Sequence, residues 1–131
     1  MTASDPFAAL EGQQFMNLIT FRKSGQPVTT PVWFAREGDR LYVMTAAGTG
    51  KVKRVRNSPR VELAPSDRRG TPLGPAFPAR AQLLPEGGEA RRADMLLTQK
   101  YGLMKRLFDL MARVSGRGGQ RAFLAIAPAE E

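Results

Sequence analysis

A loop rich in glycine and threonine, followed by a basic helix, is the part of the chain best suited to chemistry. Thr49, Gly50 and Lys51 form the junction between loop and helix. A helix N-terminus of this kind offers backbone N–H groups and a hydroxyl to an anion. Lys51 adds a full positive charge, and Arg54 shares its helix face three residues later. The sequence therefore predicts a phosphate cradle at the edge of a β-sheet.

The composition removes several kinds of site. The 131 residues include no cysteine and no histidine. Disulfides, thiol nucleophiles and the common zinc sites are excluded, as are the usual general base and the usual haem ligand. The acidic residues are scattered in predicted turns and at the termini, so we expect no metal site.

The chain is strongly basic, with a formal net charge of +8 and a pI of about 10.8. Nucleic acid, an acidic small ligand and a merely basic surface are three explanations for this charge. Nucleic acid is disfavoured, because the aromatic residues follow strand burial patterns and do not alternate with a basic stripe. These aromatic residues are Phe15, Phe21, Trp33 and Phe34.

Neither a secretion signal nor a membrane span is recognisable in the sequence. The first residues lack a basic start and an apolar core. No apolar run approaches the roughly 18 residues that a membrane helix needs. We therefore expect a soluble, cytoplasmic protein without a membrane partner.

Hydrophobic periodicity predicts a single domain over residues 1–131, mainly β (α+β), with six antiparallel strands and short helices. The first three strands, joined by short turns, are expected to form a meander. A helical excursion separates the fifth strand from the sixth, which suggests a small, nearly closed barrel. The predicted strands are 15–21, 28–34, 41–45, 60–64, 77–84 and 122–127, and the predicted helices are 7–10, 51–57, 89–101 and 103–114.

Several short motifs, in order, make residues 13–128 similar to a known family. The chain resembles the flavin-binding split-barrel family that includes pyridoxamine 5'-phosphate oxidase, and more closely its branch that depends on the deazaflavin coenzyme F-420. The motifs are Thr30-Pro31-Val32-Trp33-Phe34, Gly50-Lys51-Val52-Lys53-Arg54, Lys100-Tyr101-Gly102 and residues 17–21, 25–27, 38–43, 59–61 and 73–75.

The resemblance implies a six-stranded split β-barrel that forms a homodimer, with two cofactors at the subunit interface. A pair of residues that closes the next strand in the family corresponds here to Met44 and Thr45. The stretch of the second strand that lines the flavin corresponds to Thr29, Thr30, Pro31, Val32, Trp33 and Phe34.

The resemblance also assigns a phosphate clamp of serine, arginine and lysine to Thr49, Gly50 and Lys51. The middle arginine is thus replaced by Gly50, and Arg54 is a candidate for the missing charge. Thr29 and Phe34 stand where the family has basic residues, which weakens the case for a tight FMN site.

These assignments predict an oxidoreductase that transfers hydride from reduced coenzyme F-420 to a small organic substrate. An FMN-binding oxidoreductase or flavin-binding protein is the alternative. Because such cofactors carry the difficult chemistry, no catalytic side chain is required. Pyridoxamine phosphate oxidation and haem degradation are not expected, because both rely on histidine in this family and the chain has none.

Overall fold

The computed structural model describes residues 5–114 and 121–129 of the chain. The start of the chain (1–4) and the predicted flexible turn 116–119 lie outside this part. A 3₁₀ helix at Ala8–Leu10 precedes the first strand. The strands are β1 (Phe15–Phe21), β2 (Pro27–Val32), β3 (Ala35–Glu37), β4 (Arg40–Ala46), β5 (Arg60–Ser66), β6 (Phe77–Leu83) and β7 (Arg121–Pro128), and the helices are α1 (Gly50–Asn57), α2 (Gly88–Tyr101) and α3 (Leu103–Val114).

One antiparallel sheet contains all seven of these strands and curls into a half-barrel, in the order β2-β1-β5-β6-β7-β4-β3. In this order, the two edge strands of the sheet are consecutive along the chain. β2 and β3 are the two edge strands, yet only Trp33 and Phe34 separate them along the chain. The chain itself thus connects one edge of the sheet to the other.

The prediction of six strands, and of a meander of the first three, is wrong. The strand expected over 28–34 ends at Val32, and β3 is a separate strand that pairs with β4 at the far edge. The backbone of Phe34 explains the break. Its N–H donates to the Tyr101 hydroxyl (3.0 Å) and its carbonyl accepts from the Lys100 ammonium (2.8 Å). Because side chains of α2 bind these backbone groups, they do not join a strand ladder.

Alternate residues of the strands fill the interior of the half-barrel. Leu18, Leu41, Val43, Leu63, Leu124 and Ile126 are fully buried there. This alternation follows the period of two that the sequence predicted. The outer face is covered by α2, whose Ala93, Leu97 and Tyr101 are buried against the sheet. Gly102 caps the end of α2; it has a φ of 52° and donates its N–H to the Thr98 carbonyl (2.7 Å).

Helix α3 exposes most of its apolar stripe. Leu103, Met104, Leu107, Leu110 and Met111 are each at least half exposed. The sequence predicts that the stripe over residues 104–111 packs, with a second subunit covering what one barrel cannot. Within the described side chains the stripe faces outward in the single chain; the side chain of Phe108 lies outside them. No helix of the described part is long and apolar enough to cross a membrane.

Candidate functional site

The predicted cradle lies between the end of β4 and the start of α1. A turn closes after β4, where the Thr49 N–H donates to the Ala46 carbonyl (3.2 Å), and the helix begins at Gly50. Val52 and Val55 are buried, which fixes α1 on the sheet through its apolar face. The same helical geometry leaves the face that carries Lys51 and Arg54 free of this packing.

The hydroxyl of Thr49 does not cap the helix. It donates to the Ala46 carbonyl (2.9 Å) and lies 3.4 Å from the Thr45 hydroxyl. Thr49 makes no side-chain capping bond to α1, and no acidic residue occurs in the first turn. The first N–H groups of a helix have no partner within the helix. At α1 they therefore remain available to an anion, with the positive end of the helix dipole behind them.

Two cations stand together at this helix start. Lys51 is partly buried, and its pKa is lowered by burial and then by the neighbouring Arg54 guanidinium. Across the described residues, the ion pairs involve other side chains, and none contains Lys51 or Arg54. Like charges that are held close without a carboxylate form a local excess of positive charge, which an anion would relieve.

Arg54 is tied to the sheet. Its Nε donates to the hydroxyl of Thr20 over 2.6 Å. Thr20 lies in β1 and is only 1% exposed. α1 is thus connected to β1, which pairs directly with the edge strand β2. Sequence reasoning missed Thr20, because a single threonine inside a strand carries no recognisable signal.

The residues predicted to line the cofactor ring lie on β2 and alternate in exposure. Thr29 and Pro31 are exposed on the outer side of this edge strand. Pro31 is compatible with such a strand, since an edge can lack a ladder donor. The Thr30 hydroxyl lies 3.5 Å from the Leu18 carbonyl, and Val32 is buried in the interior.

Trp33 and Met44 lie in a different cluster from the cradle. Both pack with Ala35, Leu97 and Tyr101 on the outer face of the sheet. Thr45, the next residue of β4, faces the opposite way and contacts Thr49. The structure therefore brings Thr45, Thr49, Gly50, Lys51 and Arg54 together, and it places Trp33 and Met44 under α2.

The end of α2 supplies two residues whose role the sequence did not assign. The Lys100 ammonium donates to the carbonyls of Gln13 and Phe34 (both 2.8 Å), and burial lowers its pKa to about 8. Burial raises the pKa of Tyr101 to about 12. Their occurrence in the Lys100-Tyr101-Gly102 motif was the one signal that could have identified them.

A cavity of about 360 Å³ opens beside this outer cluster, between α2 and β7. Its lining includes Arg91, Asp94, Arg121 and Phe123. Arg121 Nη1 lies 4.0 Å from the sulfur of Met44, so the cavity adjoins a residue predicted to line the cofactor.

No group of three or more acidic, histidine or cysteine side chains within 5–114 and 121–129 is arranged to hold a metal ion.

Comparison of the sequence with known protein families identifies the family of the chain. The profile of the pyridoxamine 5'-phosphate oxidase family matches residues 7–131. The chain belongs to that family. Among curated proteins, none matches the chain significantly.

Solved structures of the same fold come from proteins of several kinds. One is an FAD-binding protein from Mesorhizobium loti, with 18% identity, a TM-score of 0.66 and coverage of 99% of this chain and 91% of that chain. Another is an F420 reductase, with 17% identity, a TM-score of 0.59 and coverage of 98% and 97%. A third is the heme storage protein HutZ from Vibrio cholerae, with 12% identity, a TM-score of 0.66 and coverage of 92% and 85%. At these identities the likeness concerns the fold.

Proposed function

We propose that the protein is an oxidoreductase that binds coenzyme F-420 and uses the reduced cofactor to reduce a small organic substrate. The observation that carries this proposal is the pair Lys51 and Arg54 at the start of α1. Among the described residues neither has a carboxylate partner. In a family whose members bind flavins, such a site fits the phosphate of a flavin-type cofactor.

The residues of the cradle fit that group chemically. The first-turn N–H groups of α1 would donate hydrogen bonds to the phosphate oxygens, and Lys51 would supply charge; the Thr49 hydroxyl would join them by turning its proton away from the Ala46 carbonyl. Thr29, Thr30, Pro31 and Val32 present the edge of β2 to the ring. The bound cofactor supplies the hydride; the protein holds the phosphate, orients the ring and leaves one ring face to the substrate.

The choice of F-420 over FMN depends on charge. F-420 carries a phosphodiester and an acidic oligoglutamate tail, whereas FMN carries one phosphate. The net charge of +8 suits the more acidic cofactor. Gly50 and Thr29 also stand where the family has basic residues that an FMN site would use. FMN remains the second candidate, supported by the similarity in fold to an FAD-binding protein.

We also propose that the protein is a homodimer. The apolar stripe of α3 is exposed in the single chain, with Leu103 at 81% and Met111 at 64%. A contiguous apolar surface of this kind is typical of an interface. The family resemblance, in which cofactors lie between subunits, points in the same direction.

Absorption and fluorescence titrations with FMN and with F-420, each repeated over a salt series, test the cofactor assignment. F-420 is expected to bind more tightly, with an affinity that falls more steeply with salt, because exposed charges are screened within about 8–10 Å at physiological ionic strength. A longer glutamate tail should raise affinity at low salt and have little effect at high salt. Tighter binding of FMN with equal salt slopes would overturn the choice of F-420. Binding of neither cofactor would overturn the proposed function.

A further inference from the structure

The guanidinium of Arg54 occupies the space above Gly50. A Cβ atom added at Gly50 would lie 2.6 Å from Nη1 of Arg54, 3.3 Å from Cζ and 3.4 Å from Nη2. The first of these distances is too short for any real contact. Arg54 can therefore keep this position only because residue 50 has no side chain.

The position of Arg54 is also fixed from the other side. Its Nε donates to the hydroxyl of Thr20 over 2.6 Å, and Thr20 is almost completely buried. This hydrogen bond joins a charged group to a short, buried side chain, so it holds the guanidinium more firmly than solvent would. With Nε engaged by Thr20, the two Nη groups remain for a ligand at the helix start.

The charges around the start of α1 indicate that this ligand is an anion. Arg54 lies close enough to Lys51 to lower its pKa. The fold thus holds two positive groups together at the N-terminus of α1, where the helix dipole adds further positive potential. Such an arrangement is unfavourable by itself and becomes favourable when an anion binds.

We propose that Gly50 and Thr20 are positioning residues that place Arg54 as the second cation of the cradle. The positive charge that the family resemblance assigns to position 50 is then supplied from one helical turn later. Lys51 and the Nη groups of Arg54 contact the phosphate or phosphodiester of the cofactor. This inference rests on the proposed function, since it concerns the same cradle.

Gly50→Ala tests the proposal directly. The added methyl group displaces Arg54, so the affinity for F-420, or for FMN if that is the cofactor, should fall roughly tenfold, as for a lost charged hydrogen bond. The melting temperature should stay the same or rise, because alanine favours a helix more than glycine does. Gly48→Ala is the matched control, since a Cβ at Gly48 would meet nothing within 4 Å, and it should bind as the parent does.

A double-mutant cycle separates displacement of Arg54 from a direct clash with the cofactor. Gly50→Ala should cause no further loss of affinity in a protein that already carries Arg54→Ala. A loss of the same size in both backgrounds would overturn the proposal. Thr20→Val should weaken cofactor binding, whereas Thr20→Ser, which keeps the hydroxyl, should bind the cofactor as the parent does. Equal affinities of these two variants would contradict the role of Thr20.

A readout without cofactor separates this inference from the proposed function. NMR titration of the Lys51 ammonium should give a higher pKa in Gly50→Ala and in Arg54→Ala than in the parent and in Gly48→Ala. Inorganic phosphate, followed through the amide signals of residues 50–52, serves as the second probe and should bind more weakly to the same two variants. If the parent binds neither FMN nor F-420, the proposed function fails, yet these two measurements still decide whether Gly50 positions Arg54. An unchanged Lys51 pKa and unchanged phosphate binding in Gly50→Ala would overturn the inference.

Discussion

The indole of Trp33 stacks on the phenol ring of Tyr101, with ring centroids 4.5 Å apart and planes inclined by 11°. Trp33 lies between β2 and β3, and Tyr101 is the last residue of α2. The Tyr101 hydroxyl also binds the backbone of Phe34 and donates to the Gln14 carbonyl (2.6 Å). One side chain of α2 thereby holds the segment that joins the two edges of the sheet.

Tyr101→Phe is expected to destabilise the protein by about 1–3 kcal/mol. The substitution keeps the ring that stacks on Trp33 but leaves the buried N–H of Phe34 without its acceptor. Urea unfolding measures the change. Tyr42→Phe is the control, and it should cost less because the Tyr42 hydroxyl binds Glu89, which is partly solvated and also pairs with Arg40. Equal losses in the two variants would contradict the role given to the Tyr101 hydroxyl.

Stability is expected to fall between pH 10 and pH 12 through Tyr101, whose pKa is raised from 10.0 to about 12 by burial. In this range the unfolded chain releases the phenolic proton and the folded chain retains it. The contribution of the protonated Tyr101 hydroxyl to the free energy of unfolding is therefore fully present below pH 10 and is lost as the pH rises through 12. Urea unfolding over this range measures the loss, and ultraviolet titration of phenolate follows the proton. Tyr101→Phe should reduce the slope; an unchanged slope would assign the loss to other groups.

Lys51→Ala is expected to weaken cofactor binding by roughly 1.5–3 kcal/mol, the range for a hydrogen bond to a charged group. Arg54→Ala should have a smaller effect. Lys53→Ala is the matched control, because Lys53 belongs to the same helix but is exposed. Fluorescence titration with F-420 and FMN gives the three affinities. If Lys51→Ala binds both cofactors as tightly as the parent does, the phosphate lies elsewhere.

Light scattering at micromolar concentration is expected to show a dimer. Leu107→Glu should shift the protein toward monomer, because it places a charge in the exposed stripe of α3. Leu73→Glu is the control, since Leu73 and Leu107 are both 59% exposed and only Leu107 belongs to the stripe. A monomeric parent would reject the homodimer, and equal effects of the two substitutions would place the interface away from α3.

Elements whose limits depend on near neighbours match their predicted positions. The spans of α3 and β1 and the end of α2 at Tyr101 were predicted correctly, because side-chain periodicity acts over a few residues. The strand expected over 28–34 was not, since its residues favour extended structure throughout.

By itself, the sequence determined the family, the β-rich class and the loop that begins α1 with Gly50 and Lys51. These features depend on residue order and on interactions between near neighbours. Tertiary structure decided where β2 ends and where the guanidinium of Arg54 lies. The first depends on Tyr101, 67 positions from Phe34, and the second on Thr20, 34 positions from Arg54. Contacts over such separations arise only after the sheet has curled and the helices have packed, because no local pattern encodes which distant hydroxyl a backbone amide or an arginine will meet.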